Sequence, residues 1–319
     1  MKLTNLGVLF VVLELCLLFV LDHRMNHLTA LHNKTIEYNK ALDSSVDNGT
    51  HNLVEVDSKR NIVLNKEEAV ERFFYSLYAN FGVVDDGIQQ RILREHVPIL
   101  LITDVDGFYI YYKELYESEG NQIIGARWSE KYPYVYEDNN YIYKFTLEDE
   151  VTLYHKEREE RITGNYKELG LLYTDSVVNN EDTYDTIRRL AIIEEMEKWM
   201  NFYINQYNSI AYECGITYQF WLPRVEKTDW YRTIDDISMF VLFQNYPYHV
   251  GSQDTYNRYA FGGARISKSS KYFIKEIDDM RYYHKANCTY AWEAGLENAY
   301  YTKEDCALEG AFPCPDCNP

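Results

Sequence analysis

The run Phe108-Tyr109-Ile110-Tyr111-Tyr112 alternates aromatic and branched side chains, and it is one of many such runs: 31 of the 319 residues are tyrosine. Residues of this kind fit the pleated, half-buried surface of a sheet, so strands dominate the expected fold. Ile99 to Thr103 and Phe108 to Tyr112 flank Asp104-Val105-Asp106-Gly107, whose Asp-Gly reads as a hairpin turn. Strands are expected again at Gln122 to Trp128, Tyr132 to Tyr136, Tyr141 to Thr146 and Val151 to His155, with Asn139-Asn140 turning between two of them. The pattern is that of an antiparallel meander.

Helical periods interrupt the strands. Asn65 can cap a helix, with Glu68 three residues on as in a capping box, and Ala69, Val70, Phe73, Phe74, Leu77, Tyr78 and Phe81 recur at helical spacing. Gly82 stops this helix, and a shorter one is expected from Gly87 to Glu95, ahead of Pro98. The longest helical segment runs from Asp182 to Tyr212, with Ile192, Met196, Trp199, Met200, Tyr203, Tyr207 and Ile210 on one face. Beyond it, Ile216 to Leu222 and Ile237 to Phe243 read as strands around a short helix at Asp229 to Thr233. Gly262-Gly263 reads as a turn before a strand at Arg265-Ile266. It lacks the Lys-Ser/Thr of a phosphate loop and the third glycine of a dinucleotide turn. Helix, meander, long helix and more strands make an α+β domain with segregated elements.

The N-terminus has a different character. Asn5 to Leu21 is apolar except for Glu14. It matches the shortest helix that spans a hydrocarbon core, ~17–20 residues. Lys2 precedes it and Asp22, His23 and Arg24 follow, with no small-x-small cleavage site. The expectation is a retained transmembrane anchor over 1–24, a single-pass cell-membrane protein with its C-terminal domain extracytoplasmic. Glu14 at that depth must be protonated, face a partner helix, or pair in a pilin-like register with a neighbouring subunit. Gly7 precedes it by seven residues, whereas a type IV prepilin places its glycine five before. Residues 25–64 read as a helical stalk and linker, 65–279 as the α+β head, and 280–319 as a small metal module.

Charge excludes some functions. The chain carries 50 Asp and Glu against 32 Lys and Arg, for a net charge of −18 and a pI near 4.9. Phosphate repels such a surface, so nucleic acid is not an expected partner. No polybasic membrane patch is present. Adjacent acids such as Asp85-Asp86, Glu194-Glu195, Asp235-Asp236 and Asp278-Asp279 read as solvated faces in so acidic a chain. The Asp-x-Asp-Gly turn lacks further ligands at calcium-loop spacing. No His-Glu-x-x-His, Gly-x-Ser-x-Gly or Ser-x-x-Lys motif occurs, Cys214 reads as an inert thiol, and no enzyme activity is expected.

The last forty residues carry the clearest chemistry. His284 and Cys288 lie four apart, and Cys314-Pro315-Asp316-Cys317 is a Cys-x-x-Cys knuckle. Three sulfurs and one imidazole complete a tetrahedron around Zn²⁺ with no position left for water, so the expected site is structural. Metal binding would supply folding energy to a segment too small for its own core. Cys306 stands outside this set. A disulfide such as Cys288–Cys306 is the competing reading.

The spacing from His284 through Cys288 to Cys314 and Cys317, with a Gly-aromatic-Pro-Cys-x-x-Cys-x-Pro ending, resembles the metal-binding domain of the Ada DNA-repair protein. It is closer still to short modules of that type appended to nuclease-like and secreted bacterial proteins. The matching stretches are Tyr283-His284 with Cys288, Glu304-Asp305, and Gly310 to Cys317. Such modules often carry basic residues around the last knuckle, where this chain has Pro315, Asp316 and Asn318. Only Arg281, Lys285 and Lys303 stand against Glu293, Glu297, Glu304, Asp305, Glu309 and Asp316, so DNA binding and methyl-acceptor chemistry do not carry over.

The remainder resembles single-pass proteins of Gram-positive bacteria associated with tight-adherence pilus and type II secretion-like machinery. The residues concerned are the apolar N-terminus, Lys66 to Phe74, Asp106-Gly107-Phe108-Tyr109 and Thr233-Ile234-Asp235-Asp236. The resemblance implies a non-catalytic, minor-pilin-like assembly component with protein partners. Two alternatives are a PAS-like ligand-binding sensor and a zinc hydrolase. The sensor requires a pocket, and the hydrolase fails if the zinc site is closed.

Overall fold

The structure is a computed structural model that describes residues 3–317 apart from 52, 57–61, 119–120, 214–218, 252, 265–271, 278–279, 286–287, 289, 291–298 and 301–302. Two compact units divide it, Met1–Arg265 and Ile266–Pro319.

The first unit opens on α1 (Leu3–Thr50), a single helix of 48 residues and about 70 Å at 1.5 Å per residue. Next come β1 (Val54–Val56), β2 (Ile62–Leu64), α2 (Lys66–Asn80) and α3 (Gly87–Glu95). Seven strands follow: β3 (Ile99–Asp104), β4 (Gly107–Ser118), β5 (Asn121–Trp128), β6 (Tyr134–Glu137), β7 (Tyr141–Phe145), β8 (Glu150–His155) and β9 (Glu160–Asn165). After α4 (Tyr166–Leu172) and a 3-10 turn at Val177–Asn179 come α5 (Glu181–Glu213), α6 (Lys227–Ile234), β10 (Ser238–Pro247) and β11 (Thr255–Gly263). One antiparallel sheet has the order β11-β10-β3-β4-β5, and a meander has the order β6-β7-β8-β9.

In the five-stranded sheet the inner strands β3 and β10 are buried on both faces, which is why they read as continuous apolar runs. Ile99, Leu101, Phe108, Ile110, Phe240 and Leu242 share a core with Ile192, Met196, Met200 and Tyr207 of α5 and with Tyr143, Phe145 and Leu153 of the meander. Alternation turns Leu100, Ile102, Met239 and Val241 to the other face, where they too are buried. On that side the terminal methyl of Met239 approaches Gly49 of α1. A register shift in β10 between Phe243 and Tyr246 holds Asn245 at φ 62°, a left-handed conformation that asparagine tolerates.

The second half of α1 belongs to this core. Ala41, Ser45 and Gly49, four residues apart, form a small-residue stripe toward α2. Asn80 Nδ2 donates to Ser45 Oγ at 3.1 Å and to the Ala41 carbonyl at 3.2 Å, and Asn48 Nδ2 donates to Ser76 Oγ at 2.9 Å. A β-carbon on Gly49 would sit 3.0 Å from the Ala69 carbonyl oxygen. Toward the sheet, Leu42 and Val46 are fully buried. Tyr38 packs against Phe81, Tyr246, Tyr248 and Tyr256. Arg258 pairs with Asp43 at 2.9 Å and donates to the Asn39 carbonyl at 3.1 Å.

The first half of α1 is exposed all round, from Val8 to Leu21. Here the expected transmembrane anchor must be corrected. Among the described residues no helix is long and apolar enough to cross a membrane, so neither the anchor over 1–24 nor the single-pass cell-membrane placement is supported. Glu14 interrupts the apolar run, and Asp22 and Arg24 bound it. Ionic groups at such depth are costly.

Smaller expectations also change. Asn65 precedes α2 but makes no side-chain capping bond, so the capping box does not form. Gly262-Gly263 closes β11 instead of preceding a strand, and Arg265-Ile266 lies outside the described residues. So does Ile216 to Tyr218 of the strand expected to end at Leu222; its described remainder, 219–222, is irregular.

Gly262 faces α1 so closely that a β-carbon there would lie 2.7 Å from Val46 Cγ1 and 3.0 Å from Thr50 Cγ2, whereas Gly263 faces open space. Gly262→Val is expected to lower the unfolding free energy by about 1–3 kcal/mol through overpacking. Gly263→Val serves as the near-neutral control, with both read by denaturant unfolding.

Candidate metal centre

The second unit is a small sheet with a helix: β12 (Tyr272–Ile277), β13 (Met280–Lys285), β14 (Ala299–Tyr300), α7 (Lys303–Leu308) and β15 (Phe312–Pro313), in the order β14-β12-β13-β15. β12 and β13 are antiparallel, with Phe273 opposite His284. β15 runs parallel to β13, pairing Tyr282 with Phe312 and Tyr283 with Pro313. That pairing brings the C-terminal knuckle to the end of β13. The Cys314 N–H donates to the Tyr283 carbonyl at 3.1 Å, and the Cys288 N–H turns back on the Lys285 carbonyl at 2.9 Å.

The result is one group of four donors. His284, Cys288, Cys314 and Cys317 place one ligand atom each within 4.8 Å of one another, and this group could hold a metal ion. Cys288 Sγ lies 3.4 Å from His284 Nδ1. Bonds of about 2.3 Å to sulfur and about 2.0–2.1 Å to nitrogen in a tetrahedron put those atoms about 3.6 Å apart, so the pair already has nearly the separation of two ligands on one ion. His284 has no exposed surface, Cys288 and Cys314 are buried, and Cys317 is partly exposed.

The surroundings favour the ligating forms of two donors. Burial lowers the His284 pKa, reinforced by Lys275, and so holds the neutral imidazole that binds metals. At Cys314 burial works upward, but the backbone N–H groups of Cys317 and Asp316 outweigh it and lower the thiol pKa. Burial and the neighbouring sulfurs of Cys288 and Cys314 raise that of Cys317. An ion shared by the three sulfurs removes that mutual repulsion. With Nδ1 toward Cys288, His284 Nε2 is left buried without a hydrogen-bond partner.

Cys306 stands apart. It has no exposed surface, packs with Tyr272, Tyr283 and Ala311, and burial pushes its thiol up to about 11. It is free, as are Cys288, Cys314 and Cys317, so the Cys288–Cys306 disulfide is not formed. Cys214 lies outside the described residues.

The other candidates have structural partners. In the Asp-x-Asp-Gly turn, Asp104 pairs with Lys131 at 2.7 Å, and Asp106 pairs with Lys131 and with Lys144. Burial raises the Asp106 carboxyl, but the two ammonium groups dominate and hold it below the usual range. Asp86 caps α3 through the Ile88 and Gln89 N–H groups. Glu195 pairs with Lys198 and Asp235 with Arg189, while Asp278-Asp279 falls outside the described residues. His96 is buried with Nδ1 3.0 Å from the Gln244 carbonyl oxygen, and His155 Nδ1 accepts from the Arg158 N–H. One buried cluster has no signal in the sequence. Lys113, nearly inaccessible, pairs with Glu95 at 2.7 Å, and the Tyr207 hydroxyl donates to the same oxygen at 2.6 Å. Its members come from three elements, α3, β4 and the distant α5.

Elemental analysis of the purified chain is expected to show one bound ion per chain. Cys314→Ser/Cys317→Ser loses it and Cys306→Ala keeps it. Chelation is expected to abolish amide protection in β12 and β13 while β3 and β10 stay protected, because a unit with so few buried residues depends on its ligand bonds.

No family model, curated protein or solved structure matches the chain.

Proposed function

We propose that this chain is a non-catalytic assembly subunit, with a folded head on a projecting apolar helix that packs against the same helix of neighbouring subunits. The observation that carries this reading is the division of α1. Its second half is built into the head through Tyr38, Leu42 and Val46, while Val8 to Leu21 stays exposed on every side. A helix that is apolar all round is stable when buried. Continuity of the backbone from Leu3 to Thr50 makes the exposed half a rigid extension of the head. Burying each Leu, Val or Phe of that half contributes about 1.5–3 kcal/mol, so contacts along a few turns are enough to hold subunits together. Glu14 lies within the apolar stretch, where a facing polar group on a neighbouring helix would offset the cost of its burial. The resemblance to tight-adherence pilus components points the assembly toward a bacterial surface filament.

The metal is proposed to be zinc in a structural role. Three thiolates and an imidazole in tetrahedral reach are the donor set zinc prefers, and four protein ligands leave no position for water or substrate. A hydrolase role is disfavoured on the same ground. When bound, the ion cross-links β13 to the C-terminal knuckle.

Sedimentation of the full chain is expected to show concentration-dependent oligomers. Leu13→Lys/Leu17→Lys should yield monomers with an unchanged Tm, since neither side chain touches the core. A wild-type chain that stays monomeric would sink the assembly reading. Finding a metal other than zinc in the purified protein would refute only the metal assignment.

A further inference from the structure

Residues 219–223 lack regular secondary structure, yet side-chain amides from two different elements fix their backbone. Asn208 of α5 accepts from the Phe220 N–H at 2.8 Å and donates to the Phe220 carbonyl at 2.8 Å. Gln244 of β10, fully buried, does the same for Trp221, accepting from its N–H at 3.1 Å and donating to its carbonyl at 2.9 Å. Asn245 Nδ2 donates to the Gln219 carbonyl at 3.0 Å. Phe220 points inward and stacks on Tyr207. The indole of Trp221 points outward and is 48% exposed.

A buried glutamine spent on the backbone of an exposed tryptophan positions the ring without burying it. Trp221 borders a cleft of about 370 Å³ that Asp229, Gln244, Arg258 and Tyr259 also line, a volume in the range of small-ligand sites. The Tyr259 hydroxyl donates to Asp229 Oδ2 at 3.1 Å and orients that carboxylate, which has no ion pair among the described residues. Arg258, the cation of the cleft, is already committed to Asp43 and the Asn39 carbonyl.

These features select a ligand class. An unpaired carboxylate beside a committed guanidinium, in a chain of net charge −18, disfavours anions. A cation is held best when several aromatic faces surround it, whereas this open cleft is lined by Trp221 and by Tyr259, whose hydroxyl is engaged with Asp229. A flat aromatic face beside a fixed acceptor suits a pyranose. Its C–H face carries partial positive charge and lies on the ring, while its hydroxyls donate to the carboxylate. We propose that this cleft binds a neutral saccharide, stacked on Trp221 and hydrogen-bonded to Asp229. The clamp from Asn208, Gln244 and Asn245 pre-orders the site and lowers the entropy lost on binding. This proposal does not depend on the assembly reading.

The full chain is screened on an array of immobilised glycans, and hits are titrated as free mono- and disaccharides by protein-observed NMR. Binding of at least one neutral saccharide is expected, weakened about tenfold or more, some 1.4 kcal/mol, by Trp221→Ala. Asp229→Asn weakens it as well. Trp221→Ala keeps the wild-type Tm, because the ring is largely outside the core. The proposal is overturned if no neutral saccharide binds, if Trp221→Ala binds as tightly as wild type, or if only cationic probes such as choline bind. Loss of binding in Trp221→Ala together with a fall in Tm is resolved by Asp229→Asn, whose unchanged affinity would also overturn it.

Discussion

The contact of α1 with the five-stranded sheet is the constraint on which the first unit depends. β3 and β10 carry large apolar side chains on both faces, and such strands need a cover on each side. One cover is α5, whose Ile192, Met196, Met200 and Tyr207 meet Ile110, Phe240 and Leu242. The other is made by α2 and residues 38–50 of α1. Without that stretch of α1, Met239 and Val241 and one side of α2 would face water. Residues 38–50, read as stalk and linker, are therefore part of the core.

This is also where sequence reading and structure part most clearly. The strands β4 to β8, the hairpin at Asp104 to Gly107, α2 and α5 were legible because their side chains follow periods of two or 3.6, and β3 and β10 because they are short apolar runs. The second half of α1 hides its period. Its face toward α2 is made of Ala41, Ser45 and Gly49, which count as polar or neutral but allow two backbones to approach closely. Its face toward the sheet ends in Tyr38, Asn39 and Asp43, bonded to Tyr248, Tyr256 and Arg258 more than two hundred residues away. A pattern of Asn, Ser, Asp and Gly reads as linker when those distant partners are unknown. The apolar first half had the opposite fault. Local hydropathy was strong, but Glu14 interrupts the run and Asp22 and Arg24 bound it, and among the described residues no helix is long and apolar enough to cross a membrane.

The four-donor group was legible for a different reason. Its donor types are few and its spacing local at each end, His284 near the end of β13 with Cys288 in the turn after it, and two residues in a knuckle. What the sequence did not contain was the parallel pairing of β13 with β15, which carries the knuckle to the imidazole. Nor did it contain the isolation of Cys306, which follows from its packing with Tyr272 and Tyr283 on a site of its own. The amide clamps on residues 219–221 were hidden similarly. Those residues alternate as a strand would, but the groups that satisfy their backbone are Asn208, Gln244 and Asn245 side chains, not a neighbouring strand.

In the assembly reading, charge and apolar surface divide the labour between head and rod. The chain's net charge of −18 makes like heads repel at close range, over roughly 8 Å at physiological ionic strength. Attraction must then come from a part of the chain that carries little charge. From Val8 to Leu21 the sole ionisable groups are Glu14 and Cys16. Because α1 is continuous with the core, subunits joined through their rods would hold their heads at a fixed orientation and spacing. Added salt then acts in one direction on both parts: it screens head repulsion and leaves the apolar contact intact or strengthened. Association through charged head surfaces would instead weaken as salt rises, so the sign of the salt dependence separates the rod from the head as the joining element.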